Sequence, residues 1–233
     1  MFNIQFHKKG NNPSVISFKT MRKMIGFLGM GLPLILFFWS VVLTGNHFLL
    51  DSISSYYHTN TRDILVGILC AVAFFLFAYH GYDNLDFIAF KIASFSALGI
   101  ALFPAQLKSA MNPYIHIAPN VSDVTNVFHF IFAGVFFTTL AFVSLFLFTK
   151  TDKEKKRKGV ITRKNIRNGV YIACGTVLLV CVAVMAVLTF IPETSGIFSI
   201  QPVFWIETVA LFAFGISWLV KGELFIKDKK AQV

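Results

Sequence analysis

The sequence predicts an all-α polytopic membrane protein built as a bundle of six transmembrane helices. Three observations carry that prediction. Hydrophobic residues make up 56% of the 233 positions and charged residues only 14%, a balance that a water-soluble domain cannot carry. The apolar residues gather into six long stretches near 24–44, 64–79, 87–105, 124–148, 169–191 and 202–220, and about 20 such residues are needed to cross a bilayer. Lysine and arginine concentrate before the first stretch, between the fourth and fifth, and after the sixth, segments that share one side after six crossings.

Taken in order, residues 1–20, with "KKGNNPS", read as a cytoplasmic tail. The first span follows Lys19, Arg22 and Lys23, as a signal peptide would. Its apolar region is too long for one, and no small-x-small cleavage site follows "VVLTGNHF". Pro33 is expected to kink it, with Gly29 and Gly31 admitting a close neighbour. The second stretch is short unless its polar ends are counted, and the fourth is long enough to tilt. Residues 21–223 form the bundle and 224–233 a second cytoplasmic tail. The alternation of a β-barrel is absent, and the two halves show no repeat.

The net charge of +10 would suit nucleic acid if it lay on one soluble face. Its distribution instead follows the positive-inside rule, with only Arg62 and Lys108 on the opposite side. Both termini are therefore expected in the cytoplasm. The basic loop 150–167 is expected to touch anionic lipid, with no nucleic-acid partner. A bacterial inner membrane is preferred to a eukaryotic one, where "NVS" at Asn120 would be a glycosylation sequon. Cys70, Cys174 and Cys181 fall inside spans without metal-site spacing and read as small buried residues.

Polar groups are unusually dense in "LLDSISSYYHTNTRDILVG" from Leu49. That segment is too long for a connector and is expected to fold back over the bundle mouth, with Thr59, Asn60 or Thr61 capping the second helix. Glu207 lies about 7 Å into the sixth span, where a carboxylate is a functional candidate by default. His129 lies at similar depth in the fourth span. Ser52, Ser54, His58, Arg62, Asp63, His129 and Glu207 are thus the expected ligand-binding set, joined by Asp51 and rimmed by Tyr56, Tyr57 and Trp205. Arg62 opposes both the charge trend and the helix dipole, so a carboxylate from Asp63, Asp51 or Glu207 is expected beside it. On the basic side, Asp83 and Asp86 of "YHGYDNLDF" are expected to pair with Arg163, Arg167 or Lys221.

Catalytic templates fit poorly. Ser54-x-x-x-His58 has the spacing seen in the ceramidase and adiponectin-receptor class of intramembrane hydrolases. That class also carries a late His-x-x-x-His pair, and no histidine here lies beyond His129. Gly-x-Ser-x-Gly is absent. No catalytic residue, metal ligand or cofactor is expected.

"SIS" at Ser52–Ser54 after the first span, followed by "TRDILVG" opening the second, resembles the Frag–DRAM–Sfk superfamily and its uncharacterised bacterial relatives. The six-span layout and "RNGVY" opening the fifth span are compatible with it. The resemblance implies a membrane protein of lipid remodelling, lipid organisation or stress response, mostly without catalysis, and it singles out Ser52, Ile53, Ser54 and Arg62. Its eukaryotic members often carry a proline where Asp51 stands here. The expected function is a non-enzymatic lipid-binding or membrane-regulatory protein. A small transporter or proton-coupled permease using Glu207 is the alternative, and an intramembrane metal-dependent hydrolase the third reading.

Overall fold

The computed structural model describes residues 17–45, 49–81, 83–107, 121–150, 162–191 and 196–226. Six α-helices follow in chain order: α1 (Phe18–Thr44), α2 (Arg62–Ala78), α3 (Asn84–Leu102), α4 (Asp123–Phe142), α5 (Thr162–Leu188) and α6 (Pro202–Lys221). No strand interrupts them among the described residues. Short 3-10 helices at Ser54–His58 and Gly196–Ile200 precede α2 and α6. Local chemistry sets the ends. Ser17, Asp83 and Ser122 each accept an amide three residues on, from Thr20, Asp86 and Thr125. Gly45 closes α1 with φ 68° and returns its amide to the Val41 carbonyl. Pro202 opens α6, where its missing N–H costs no helical bond.

Helix α1 begins at Phe18, inside the stretch expected to be tail. Among the described residues, five helical segments are long and apolar enough to cross a membrane: Phe18–Leu43, Asn84–Leu102, Asp123–Leu147, Lys164–Leu188 and Pro202–Lys221. Helix α2 has 17 residues and reaches only about 25 Å, short of a hydrocarbon core of about 30 Å. Many phenylalanines explain themselves by position. Phe38, Phe74, Phe95 and Phe146 are exposed on the outside of the bundle, the surface that lipid tails would cover.

Each helix packs on its neighbours in sequence, and α6 returns to α1 to close the ring. The α1–α6 seam is close-packed. A Cβ on Gly215 would stand 2.7 Å from the Gly26 carbonyl oxygen, and one on Gly29 would stand 2.4 Å from the Phe214 ring. Gly31, expected to share this role with Gly29, meets only Ile35 of its own helix. Hydrogen bonds tie other seams: Ser94 Oγ donates to the Ala73 carbonyl at 2.8 Å, and Ser144 Oγ to that of Tyr171 at 2.8 Å. Ser144 lies in a π-helical turn, Val143–Leu147, that extends α4. The three cysteines are thiols within helices, with Cys174 and Cys181 buried.

The basic end holds a buried aromatic cluster of Tyr79, Phe90, Phe148 and Trp218. Arg22 donates through Nε and Nη2 to Tyr79 Oη at 2.9 and 2.7 Å. Beside it stands a partner that the sequence did not point to: Lys150 Nζ reaches Asp83 Oδ2 at 2.7 Å and Asp86 Oδ1 at 2.6 Å. This lysine sits just past the π-helical turn. Its hydrogen bond holds the Asp83 carboxyl below the usual carboxylate range. Burial lowers the affinity of Lys150 for its proton, but the two carboxylates outweigh it and hold the ammonium above its ordinary value. The loop expected to touch anionic lipid lies mostly in 151–161, outside the described residues, as do Lys108 and Asn120.

Candidate functional site: a lidded cavity between the helices

Residues 49–61 form a lid that sinks between the helix ends opposite the basic end. Four contacts hold it. The Phe204 amide donates to the Asp51 carbonyl at 3.1 Å, and the Ile53 amide to Glu207 Oε2 at 2.6 Å. Ser54 Oγ meets His129 Nε2 at 3.0 Å, and His58 Nε2 donates to the Ala105 carbonyl at 2.8 Å. The lid thereby bridges α6, α4 and the segment after α3.

Depth explains why these polar groups are present. Glu207 is five residues into α6, about 7 Å along its axis, and His129 six residues into α4, about 9 Å. Irregular backbone at such depth survives only where its polar groups find partners within the protein. Glu207 supplies an acceptor for the Ile53 amide. Ser52 Oγ accepts from the Ser55 amide at 3.0 Å and meets Ser55 Oγ at 2.8 Å, which holds the turn into the 3-10 helix. Thr59 Oγ1 accepts from the Thr61 amide at 3.2 Å. Thr61 occupies the N-cap position of α2 without a side-chain cap of its own.

The structure divides the expected site residues into three groups. Ser54, His129 and Glu207 converge on one cavity of about 50 Å³. Ser52 and His58 are scaffold, spent on the turn of the lid and on the Ala105 carbonyl. Arg62 and Asp63 stand outside the cavity, and Asp63 is exposed. Among the described residues no carboxylate pairs with Arg62; its guanidinium lies 4.7 Å from the centre of the Tyr57 ring. The expected ion pair is replaced by a cation–π contact, a partner that counting charges cannot reveal. Tyr56 is buried completely and packs on Phe204 instead of forming a rim; burial pushes its hydroxyl up to about 12. Tyr57 lines the cavity and Trp205 is exposed.

The cavity is apolar except at the lid. Leu32 of α1, Leu65 and Leu69 of α2, Ile100 of α3, Phe136 and Phe137 of α4 and Leu211 of α6 make its walls. The polar atoms come from the other side. His129 Nδ1 lies 2.7 Å from the Phe103 carbonyl. A carbonyl only accepts, so Nδ1 carries the proton. In the neutral ring Nε2 is then the acceptor and the Ser54 hydroxyl the donor. The Phe103 carbonyl was beyond sequence reasoning, because a backbone group carries no residue signature.

Comparison with protein-family models, with curated proteins and with solved structures finds no match for this chain. No group of three or more histidine, cysteine or acidic side chains is placed to hold a metal ion among the described residues.

Proposed function

We propose that this is an integral membrane protein that binds an amphiphile of the surrounding lipid in the lidded cavity. The carrying observation is the one-sided polarity of the cavity: hydrocarbon walls from five helices face Ser54, His129 and Glu207 at the lid. A lipid carbonyl or hydroxyl would lie at the lid and the adjoining methylenes against Leu69, Phe136 and Leu211. A volume of about 50 Å³ is a third of the ~150 Å³ apolar cavity that admits benzene. It accommodates a short length of chain near the headgroup and leaves the rest of the lipid outside. Arg62 acts indirectly in this reading, by stacking on Tyr57 of the cavity wall.

The same proposal has α2 cross the membrane with the other five helices, placing both termini on the cytoplasmic side. The inner surface then carries Lys19, Arg22, Lys23, Lys150, Lys164 and Arg167, as the positive-inside rule asks, where they would meet anionic headgroups. Membership of the Frag–DRAM–Sfk superfamily, with its ties to lipid organisation, is part of the proposal.

Native mass spectrometry of the purified chain tests the binding reading. Wild type and Arg62→Ala should retain a lipid, while Ala133→Phe, which fills the cavity from α4, should lose it. A protein that carries no lipid, or a lipid that stays bound in Ala133→Phe, would remove the basis of the proposal.

A further inference from the structure

We propose that Ser54 is a nucleophile with His129 as its general base, and that the cavity cleaves a carboxylic ester of a membrane amphiphile. The inference rests on the amphiphile-binding reading and assigns it a substrate class. A serine–histidine contact within a helix bundle is often only a packing hydrogen bond. Three features distinguish this one. Both side chains line a cavity, so the pair faces open space where a substrate carbonyl can approach. The ring is fixed in the useful tautomer, with Nδ1 held by the Phe103 carbonyl at 2.7 Å and Nε2 directed at Ser54 Oγ at 3.0 Å. The nucleophile's backbone is fixed as well, because Glu207 grips the preceding amide of Ile53 at 2.6 Å.

In that arrangement the Phe103 carbonyl takes the place that a carboxylate holds in a three-residue serine hydrolase, orienting the imidazole through Nδ1. Phe103 and Glu207 are positioning residues; Ser54 and His129 are the groups that meet the substrate. Ser54 Oγ attacks the ester carbonyl carbon while its proton passes to His129 Nε2. The tetrahedral adduct collapses, the bond to the alcohol oxygen breaks, and Nε2 returns the proton to the departing alcohol. Water then attacks the acyl-Ser54 ester, giving its proton to Nε2, which passes it to Ser54 Oγ as the acid leaves. One ester and one water become one acid and one alcohol.

The test is covalent labelling of the full chain with a short-chain alkyl fluorophosphonate, read by intact mass and by peptide mapping. The expected result is a single adduct at Ser54. It should be absent in Ser54→Ala and form at least about 100-fold more slowly in His129→Gln, the scale of a general base's contribution. The wild-type labelling rate should rise with pH as one group loses its proton, a readout that does not depend on any variant folding. No adduct at Ser54, a flat pH profile, or an unchanged rate in a folded His129→Gln protein would overturn the proposal. Lipid retention by unlabelled wild type separates the two readings. Retention without labelling leaves binding and removes catalysis, and labelling without retention supports the nucleophile while removing stable binding.

Discussion

Glu207 shows how a single residue can be conspicuous in a sequence for one reason and present in the fold for another. A carboxylate inside an apolar helix suggests a carrier of protons or a ligand contact. Its observed partner is the Ile53 amide at 2.6 Å, a backbone donor held at depth. What that amide requires is an acceptor, and a negative charge is not essential. Glu207→Gln keeps an acceptor oxygen and should cost less than about 1 kcal/mol, whereas Glu207→Leu strands the amide and should cost about 1–3 kcal/mol. Thermal unfolding in detergent distinguishes them, and equal losses in the two variants would show that charge is what the site needs. The depth of Glu207 and His129 could be counted along their helices, which is why both were legible. The stacking of Arg62 on Tyr57 was not, because an aromatic ring beside a basic residue has no spacing rule.

At the scale of the element, apolar length made five of the helices readable, since crossing length is a property of the sequence alone. Which face of each helix meets which neighbour depends on rotation about its axis, and there the sequence misled. Gly31 was expected at a close contact, yet the α1–α6 seam runs through Gly26, Gly29 and Gly215. The seam yields a matched pair of substitutions. In Gly215→Ala the new methyl would stand 2.1 Å from Met30 Cγ and 2.7 Å from the Gly26 carbonyl, while around Gly67 nothing lies within 4 Å. Gly215→Ala should therefore destabilise by about 1–3 kcal/mol through overpacking. Gly67→Ala should be neutral or gain up to about 1 kcal/mol from helix propensity. Melting temperatures of the two variants in one detergent provide the comparison; an unaffected Gly215→Ala would mean the seam is looser than its geometry.

For the whole molecule, the lid and α2 are one problem. A helix that needs about 20 residues to cross has 17 here, and the residues before it are folded down among the helix ends. The lid occupies depth that α2 would otherwise fill, with its backbone satisfied by Glu207, Ser52 and Thr59. In the proposed six-span arrangement a short α2 crosses because protein covers its lid end. The six-span proposal makes a sharp prediction about one exposed residue near each end of α2. With Asp63→Cys and Asn84→Cys in sealed vesicles, a membrane-impermeant maleimide should label them from opposite sides. Ser199→Cys should behave as Asp63→Cys does, and Lys19→Cys as Asn84→Cys does. Labelling of positions 63 and 84 from the same side would make α2 a hairpin arm that does not cross. The basic end would then lose its single-sided character, because Asp83, Asp86 and Lys150 form one cluster and cannot lie on two sides of a bilayer. The ion pairs of Lys150 to the start of α3 thus bind the fate of α2 to that of α4, and the pair of cysteines tests both.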